Sequence, residues 1–361
     1  MPFHTAIKLT VPFVFFGYAA FANFALFTGN AESPPPEGFM RGGYTKQVDT
    51  LYRANLPHRE PAVGLVGAAR YLLLNEGRDG VVAGDKGWLF TSEEYRAQSG
   101  AIAAMPDALA WMAQVHAELA AYNSRLVIVP VPAKIDIDQS FGGDATQSQA
   151  LRDTYDLFLT AAANADLIVV DTRADLLRVD SAFFQTDTHW TPGGAAAIAA
   201  SVAESGLIEL GEDDFLTVPQ APVTFTGDLV SFVTSDALAV SIGLNAETVT
   251  PYVAQMDTTG VDLGGFDLFG SDGPMPMVLV GTSYSANPNW SFVEALKLAL
   301  SQDILNYAVE GQGPIAPMQT YLQQLDPVDA PPVVIWEFPI RYLSDPDLLS
   351  PIKILTGDDN A

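Results

Sequence analysis

Arg125-Leu126-Val127-Ile128-Val129-Pro130-Val131 is an almost wholly apolar run, and a run of this length without alternation reads as a strand covered on both faces. Working outward, Pro106 to Tyr122 carries apolar residues at helical spacing, with Trp111 on its apolar side. Downstream come a helical pattern over Gln147–Ala163, the strand-like Asp166–Val170 and a helical pattern over Pro192–Glu204 opened by the Thr191-Pro192 cap pair. The order resumes with Met277–Val280, a helix near Ser291–Ser301, Ile304–Ala308, a helix near Pro314–Leu325 and Pro332–Ile335. Apolar strands alternating with amphipathic helices predict an α/β fold of three layers, a parallel sheet between helices.

The flanks differ in character. Leu9 to Thr28 contains no charged residue, and about 20 apolar residues suffice to cross a bilayer core, so residues 1–29 read as a short cytoplasmic tail and membrane anchor. The competing reading is a signal peptide cleaved near Gly29-Asn30-Ala31, although a signal core is normally shorter. The consecutive prolines of 34–36 make 30–44 a semi-extended linker. The globular domain then spans 45–350. It opens with two short strands around a Gly/Asp turn, Val81 to Phe90, and contains an insertion over about 207–273 that is rich in Thr, Val, Gly and Asp, expected to be β-rich or irregular. Residues 351–361 form a tail.

The net charge of −26 lacks the positive footprint that phosphate backbones require, so nucleic acid is not an expected partner. No cysteine is present, which removes disulfides, thiol nucleophiles and thiolate metal sites.

Two blocks carry the chemistry. Asp187-Thr188-His189-Trp190 supplies an imidazole with a carboxylate two residues before it, on the same side of an extended segment. Gly281-Thr282-Ser283-Tyr284-Ser285 supplies a hydroxyl just beyond the apolar run Met277–Val280, at the end of a strand where open α/β sheets collect function. A serine hydroxyl needs such a base because it is a weak nucleophile at neutral pH. Asp187, His189 and Ser283 are therefore the candidate catalytic residues, Ser285 competes for the nucleophile's place, and the amides after Gly281 are candidate oxyanion donors. Lys134, at another strand's end, and the aromatic Trp190 and Tyr284 are candidate substrate-binding groups. Trp290 reads as core. Glu337 and Arg341 follow the last strand and are expected to pair with each other or border the cleft. A zinc site built on Asp187, His189 and Asp171 or Asp175 lacks the usual nitrogen- or sulfur-rich ligands, and no cofactor-binding loop is present, so neither a metal nor a cofactor is expected.

Thr186-Asp187-Thr188-His189-Trp190-Thr191-Pro192, Val280-Gly-Thr-Ser283-Tyr-Ser, Asn306 to Pro314 and Trp336-Glu-Phe-Pro-Ile-Arg341 together resemble the alginate O-acetyltransferase (AlgJ/AlgX) family of SGNH-hydrolase-like proteins. The resemblance spans roughly Val81 to Leu343. It implies an SGNH-like fold and an Asp187–His189–Ser283 triad in which Ser283 is transiently acetylated and passes the acetyl group to a polysaccharide hydroxyl. It also implies a membrane-bound O-acyltransferase partner that relays the acetyl donor, and a catalytic domain in the periplasm. The alternatives are a carbohydrate acetylesterase using the same triad, and a non-catalytic polysaccharide-binding scaffold of an export complex.

Overall fold

The computed structural model describes residues 3–28, 43–55, 59–257 and 276–350. Most of the expected linker, the end of the insertion and the 351–361 tail lie outside the described residues. Ten strands occur in it: β1 (Val81–Ala83), β2 (Leu89–Thr91), β3 (Arg125–Val131), β4 (Phe215–Pro219), β5 (Val223–Phe225), β6 (Glu247–Val249), β7 (Tyr252–Met256), β8 (Met277–Val280), β9 (Ile304–Asn306) and β10 (Val333–Pro339).

The main sheet has the order β3-β10-β8-β9, and every pairing in it is parallel. Residues of β8 and β10 are buried throughout, as expected of strands with helices on both faces. On one face Val127, Val129, Leu279 and Ile335 pack against helices Pro192–Glu204 and Phe292–Leu300. On the other, Leu126, Ile128, Val280 and Trp336 pack against helices Gln98–Ala121, Ala145–Asn164 and Ile315–Gln324. This is the three-layer α/β fold read from the sequence.

The boundaries shift where local pattern was ambiguous. Asp166–Val170 is not a full strand: it meets β3 at one parallel bridge, Ile128 with Val169, closed by the amides of Ile128 and Val170. β10 runs on past Ile335 to Pro339, because Trp336 and Phe338 bury on one face while Glu337 finds buried donors. The helix before β3 starts at Gln98 and continues through Pro106.

With the 168–170 segment included, the spatial order is β9, β8, β10, β3, 168–170. Numbered along the chain this is 4-3-5-1-2, a cyclic permutation of the doubly wound order 2-1-3-4-5. Helix Ala145–Asn164 after β3 and helix Phe292–Leu300 after β8 lie on opposite faces, which opens a crevice at the carboxyl ends of β8 and β10. Ser283 emerges from β8 at that crevice.

The insertion is a β ribbon, β4 antiparallel to β7 and β5 antiparallel to β6. Between its arms the turn Asp228–Phe232 and helix Asp236–Ala239 join a small apolar core with Val81 and Leu89 of the hairpin. At the N-terminal end, helix Phe3–Thr28 leaves Phe13, Phe15, Phe16 and Phe24 exposed. Among the described residues, no helix is long and apolar enough to cross a membrane, so the fold does not establish the expected anchor.

Candidate active site

Asp187 and His189 sit in the loop before helix Pro192–Glu204, which is held at its start by the Thr191 hydroxyl accepting the Gly194 amide at 3.2 Å. Nδ1 of His189 and Oδ1 of Asp187 are 2.6 Å apart. A carboxylate only accepts, so Nδ1 carries the proton and the neutral ring offers Nε2 as an acceptor. The Ser283 hydroxyl lies 2.8 Å from that nitrogen. The imidazole is stacked on Trp290, with centroids 5.3 Å apart and planes at 23°, and flanked by Tyr284 at 4.9 Å. The ring is thus fixed by a hydrogen bond at one nitrogen and by aromatic surface beside it.

Asp187 is buried. Burial works to raise its carboxyl, but hydrogen bonding and charge from His189, together with the amides of Asp228 and His189, outweigh that and hold it below its ordinary value. The Asp228 amide donates to Oδ2 at 2.9 Å, and Oδ1 of Asp228 accepts the Thr188 amide at 2.8 Å. Asp228 was missed from the sequence, because it lies in the aperiodic insertion with no motif around it. Its own carboxyl is pushed up, first by the surrounding protein and then by the Asp187 charge, although the residue retains exposed surface on the cleft.

Asp187, His189 and Asp228 have ligand-type atoms within 4.8 Å of one another. Asp171 and Asp175 are not in that group. Both oxygens of Asp187 and both ring nitrogens of His189 are already hydrogen-bonded within the site, so a cation there would have to displace the arrangement just described.

The turn that carries Ser283 is gripped from below by Glu337, which is fully buried on β10. Its carboxylate accepts the Thr282 amide at 2.7 Å, the Thr282 hydroxyl at 3.0 and 3.1 Å and the Ser285 hydroxyl at 3.0 Å. Burial pushes this carboxyl up, and those donors oppose the shift. Ser285 is therefore a buried strut rather than a rival nucleophile. Gly281 is required by space: a Cβ there would stand 2.5 Å from Oε2 of Glu337. Of the amides after Gly281, that of Thr282 donates to Glu337 and that of Tyr284 to the Thr282 hydroxyl, while those of Ser285 and Ala286 bond back to the Thr282 carbonyl. This leaves the Ser283 amide as the candidate oxyanion donor among them.

The three expected substrate-binding groups fall elsewhere. Lys134 is buried, and its ammonium donates to the carbonyls of Leu89 at 2.6 Å, Asp187 at 2.9 Å and Gln185 at 3.1 Å. It lies 5.1 Å from the ring centres of Trp88 and Phe90, and burial lowers its pKa to about 8. It ties the hairpin to the Asp187 loop and does not reach the cleft. Trp190 has 0% exposure and packs on Tyr284 and Phe292. Tyr284 is also buried, donating to the Thr188 carbonyl at 2.8 Å and accepting from Arg341 at 2.6 Å. Neither aromatic presents a face to a sugar.

What does border Ser283 and His189 is an open cleft of about 390 Å³ whose walls include Arg96, Asp228, Phe232, Arg341 and Tyr342. Arg341 pairs with Glu93 at 2.9 Å and not with Glu337. A larger cleft of about 550 Å³ lies between the ribbon and helix Phe292–Leu300 and includes neither His189 nor Ser283, so volume alone does not mark the chemistry here.

The family model described as SGNH hydrolase-like domain, acetyltransferase AlgX, matches residues 81–340. The probable alginate O-acetylase AlgJ of Pseudomonas syringae pv. tomato is 36% identical over 329 residues, 89% of this chain and 83% of that protein. Its counterpart in Pseudomonas aeruginosa is 36% identical over 355 residues, 92% and 89% of the two chains. The solved O-acetyltransferase domain of Pseudomonas putida AlgJ matches with a TM-score of 0.66 at 33% identity, covering 78% of this chain and 100% of that one.

Proposed function

The chain belongs to the SGNH hydrolase-like, AlgX acetyltransferase family, and from that membership we propose that it transfers acetyl groups to hydroxyls of an exopolysaccharide through an acetyl-Ser283 intermediate. The observation that carries this reading is the continuous chain of contacts from Asp187 through His189 to Ser283, bordering an open cleft.

In the first half-reaction Ser283 Oγ attacks the donor's acyl carbon, its proton passes to His189 Nε2, and the donor's leaving group takes that proton as it departs. In the second, a sugar hydroxyl gives its proton to Nε2 and attacks the ester carbon. The carbon–Oγ bond breaks and the proton returns to Ser283. Asp187 holds the ring in the required tautomer and stabilises the imidazolium in both halves. The cleft wall sets the guanidinium groups of Arg96 and Arg341 beside the carboxylates of Glu93 and Asp228, so it offers both signs of charge to an acceptor.

The relatives are named for alginate acetylation, which supports an alginate-like acceptor. The uncharged stretch Leu9–Thr28 supports an inner-membrane anchor with the 45–350 domain in the periplasm. A membrane-bound O-acyltransferase that relays the acetyl group completes the proposal. The decisive test is incubation with an acetyl ester with and without acceptor glycan, followed by intact-mass measurement. A single acetyl adduct on the protein, lost in Ser283→Ala and discharged onto added glycan, is expected. Acetate release with no acetylated glycan under any condition would assign the site to an esterase, and full polymer acetylation by Ser283→Ala would make the chain a scaffold.

A further inference from the structure

Helix Arg59–Leu74 packs into the domain through its glycines. A Cβ on Gly67 would stand 1.9 Å from the Val233 carbonyl oxygen, and one on Gly64 would stand 2.9 Å from the Ser235 hydroxyl. The Gly64 carbonyl accepts the Thr234 hydroxyl at 2.9 Å. This close seating leaves the opposite face outward. That face consists of Ala62, Leu65, Val66, Ala69, Leu72 and Leu73, all exposed, with Leu65 at 64% and Leu73 at 81%. Spacings of three and four make these one continuous apolar stripe along the helix. An exposed stripe of this kind marks an interaction surface rather than ordinary scatter.

The surrounding charge says what covers it. Over residues 41–78 there are six Lys and Arg against three Asp and Glu, whereas the chain as a whole is at −26. A net-positive segment around an apolar helical face is the pattern of a helix lying in an anionic lipid surface. The geometry points to the surface of an anionic phospholipid bilayer as the occupant of the Ala62–Leu73 stripe. The inference is independent of the chemistry at Ser283 and of whether Leu9–Thr28 spans the membrane.

The consequence for the site follows from chain distance. Gly80 lines the catalytic cleft, and the six residues from Leu74 to Gly80 reach at most about 20 Å when extended. Phe232, on the same cleft, belongs to the turn just before the residues that seat the helix. A docked helix therefore holds the cleft close to the lipid plane.

The absence of cysteine makes single-site labelling clean. The full chain, carrying an environment-sensitive fluorophore at Leu73→Cys, Leu65→Cys, Phe16→Cys or Val328→Cys, is reconstituted with vesicles of phosphatidylethanolamine containing a minority of phosphatidylglycerol. Phe16 reports the N-terminal helix and Val328, 88% exposed, is the water-facing control. The expected result is a blue shift at positions 65 and 73 and loss of emission there with brominated lipid, weakened when phosphatidylglycerol is replaced by phosphatidylcholine. Probes at 65 and 73 that match position 328 overturn the inference whatever position 16 reports. A shift at 65 and 73 without quenching by brominated lipid also overturns it, because the cover is then protein, a second copy or another partner.

Discussion

Asp228 donates its backbone amide to Oδ2 of Asp187, the oxygen that His189 does not use, from 41 residues further along the chain. The insertion therefore completes the hydrogen bonding of the proposed triad's carboxylate. The Asp228 side chain adds a second tie by accepting the Thr188 amide. Asp228→Ala removes that acceptor while keeping its own amide, and kcat is expected to fall roughly tenfold. Asp228→Asn retains an oxygen in place and restores most of it. Steady-state kinetics of the two variants check this, and equal activity of both with the parent would remove Asp228 from the account.

Ser283→Ala and His189→Ala should each reduce acetyl transfer by roughly 10³-fold or more with the fold intact, and the double variant should lose little beyond either single one, since the residues act as a unit. Transfer assays beside circular dichroism measure both parts. Additive losses would mean that the two side chains contribute separately.

Glu337 offers a test of the turn beneath the nucleophile. Glu337→Ala leaves the Thr282 amide buried without its acceptor, which costs about 1–3 kcal/mol for that group alone and is read as a lower denaturation midpoint. Gly281→Ala presses a methyl group against a carboxylate that four contacts hold in place. Its expected signature is a larger loss in kcat than in stability, and an alanine variant with parental kcat would show that the turn tolerates displacement.

Lys134 gives a pH signature with a definite sign. Its pKa is about 8 in the folded protein and about 10.4 in an unfolded chain. Between these values the unfolded state binds more protons, so this residue's contribution to stability rises with pH across that window and is lost as pH falls through about 8. The stability of the parent relative to Lys134→Met should therefore increase from pH 8 to pH 10 in urea titrations. A difference that stays flat or decreases contradicts the assignment. Activity should move the other way in the parent, declining above pH 8 as the ammonium that fastens the Asp187 loop is neutralised.

Sequence pattern located what local chemistry controls. Helix Pro192–Glu204 was read to the residue because Thr191 and Pro192 encode its start, and the apolar runs of β3 and β8 were legible as buried strands. The proposed catalytic trio was legible too, since spacing and strand-end placement single out those side chains. Long-range contacts were not. Lys134 was correctly set just beyond β3, yet its orientation depends on carbonyls of Leu89, Gln185 and Asp187, which only the folded chain brings together. Trp190 and Tyr284 flank the chemistry in sequence but turn into the core, and nothing in their immediate neighbours records that. Arg341 was expected to pair with Glu337, four residues away, or to border the cleft, and it borders the cleft. Its partner, Glu93, lies 248 residues earlier.

The place of β10 bears on how the site comes into being. The described strand latest in the chain is also the one between β3 and β8, so the sheet cannot close until synthesis has passed Pro339. Asp187 and His189 emerge from the ribosome well before Ser283, and the Glu337 that braces the nucleophile turn emerges after all of them. A nascent chain thus carries its base without an assembled nucleophile. The proposed site is therefore completed by the last central strand to be made.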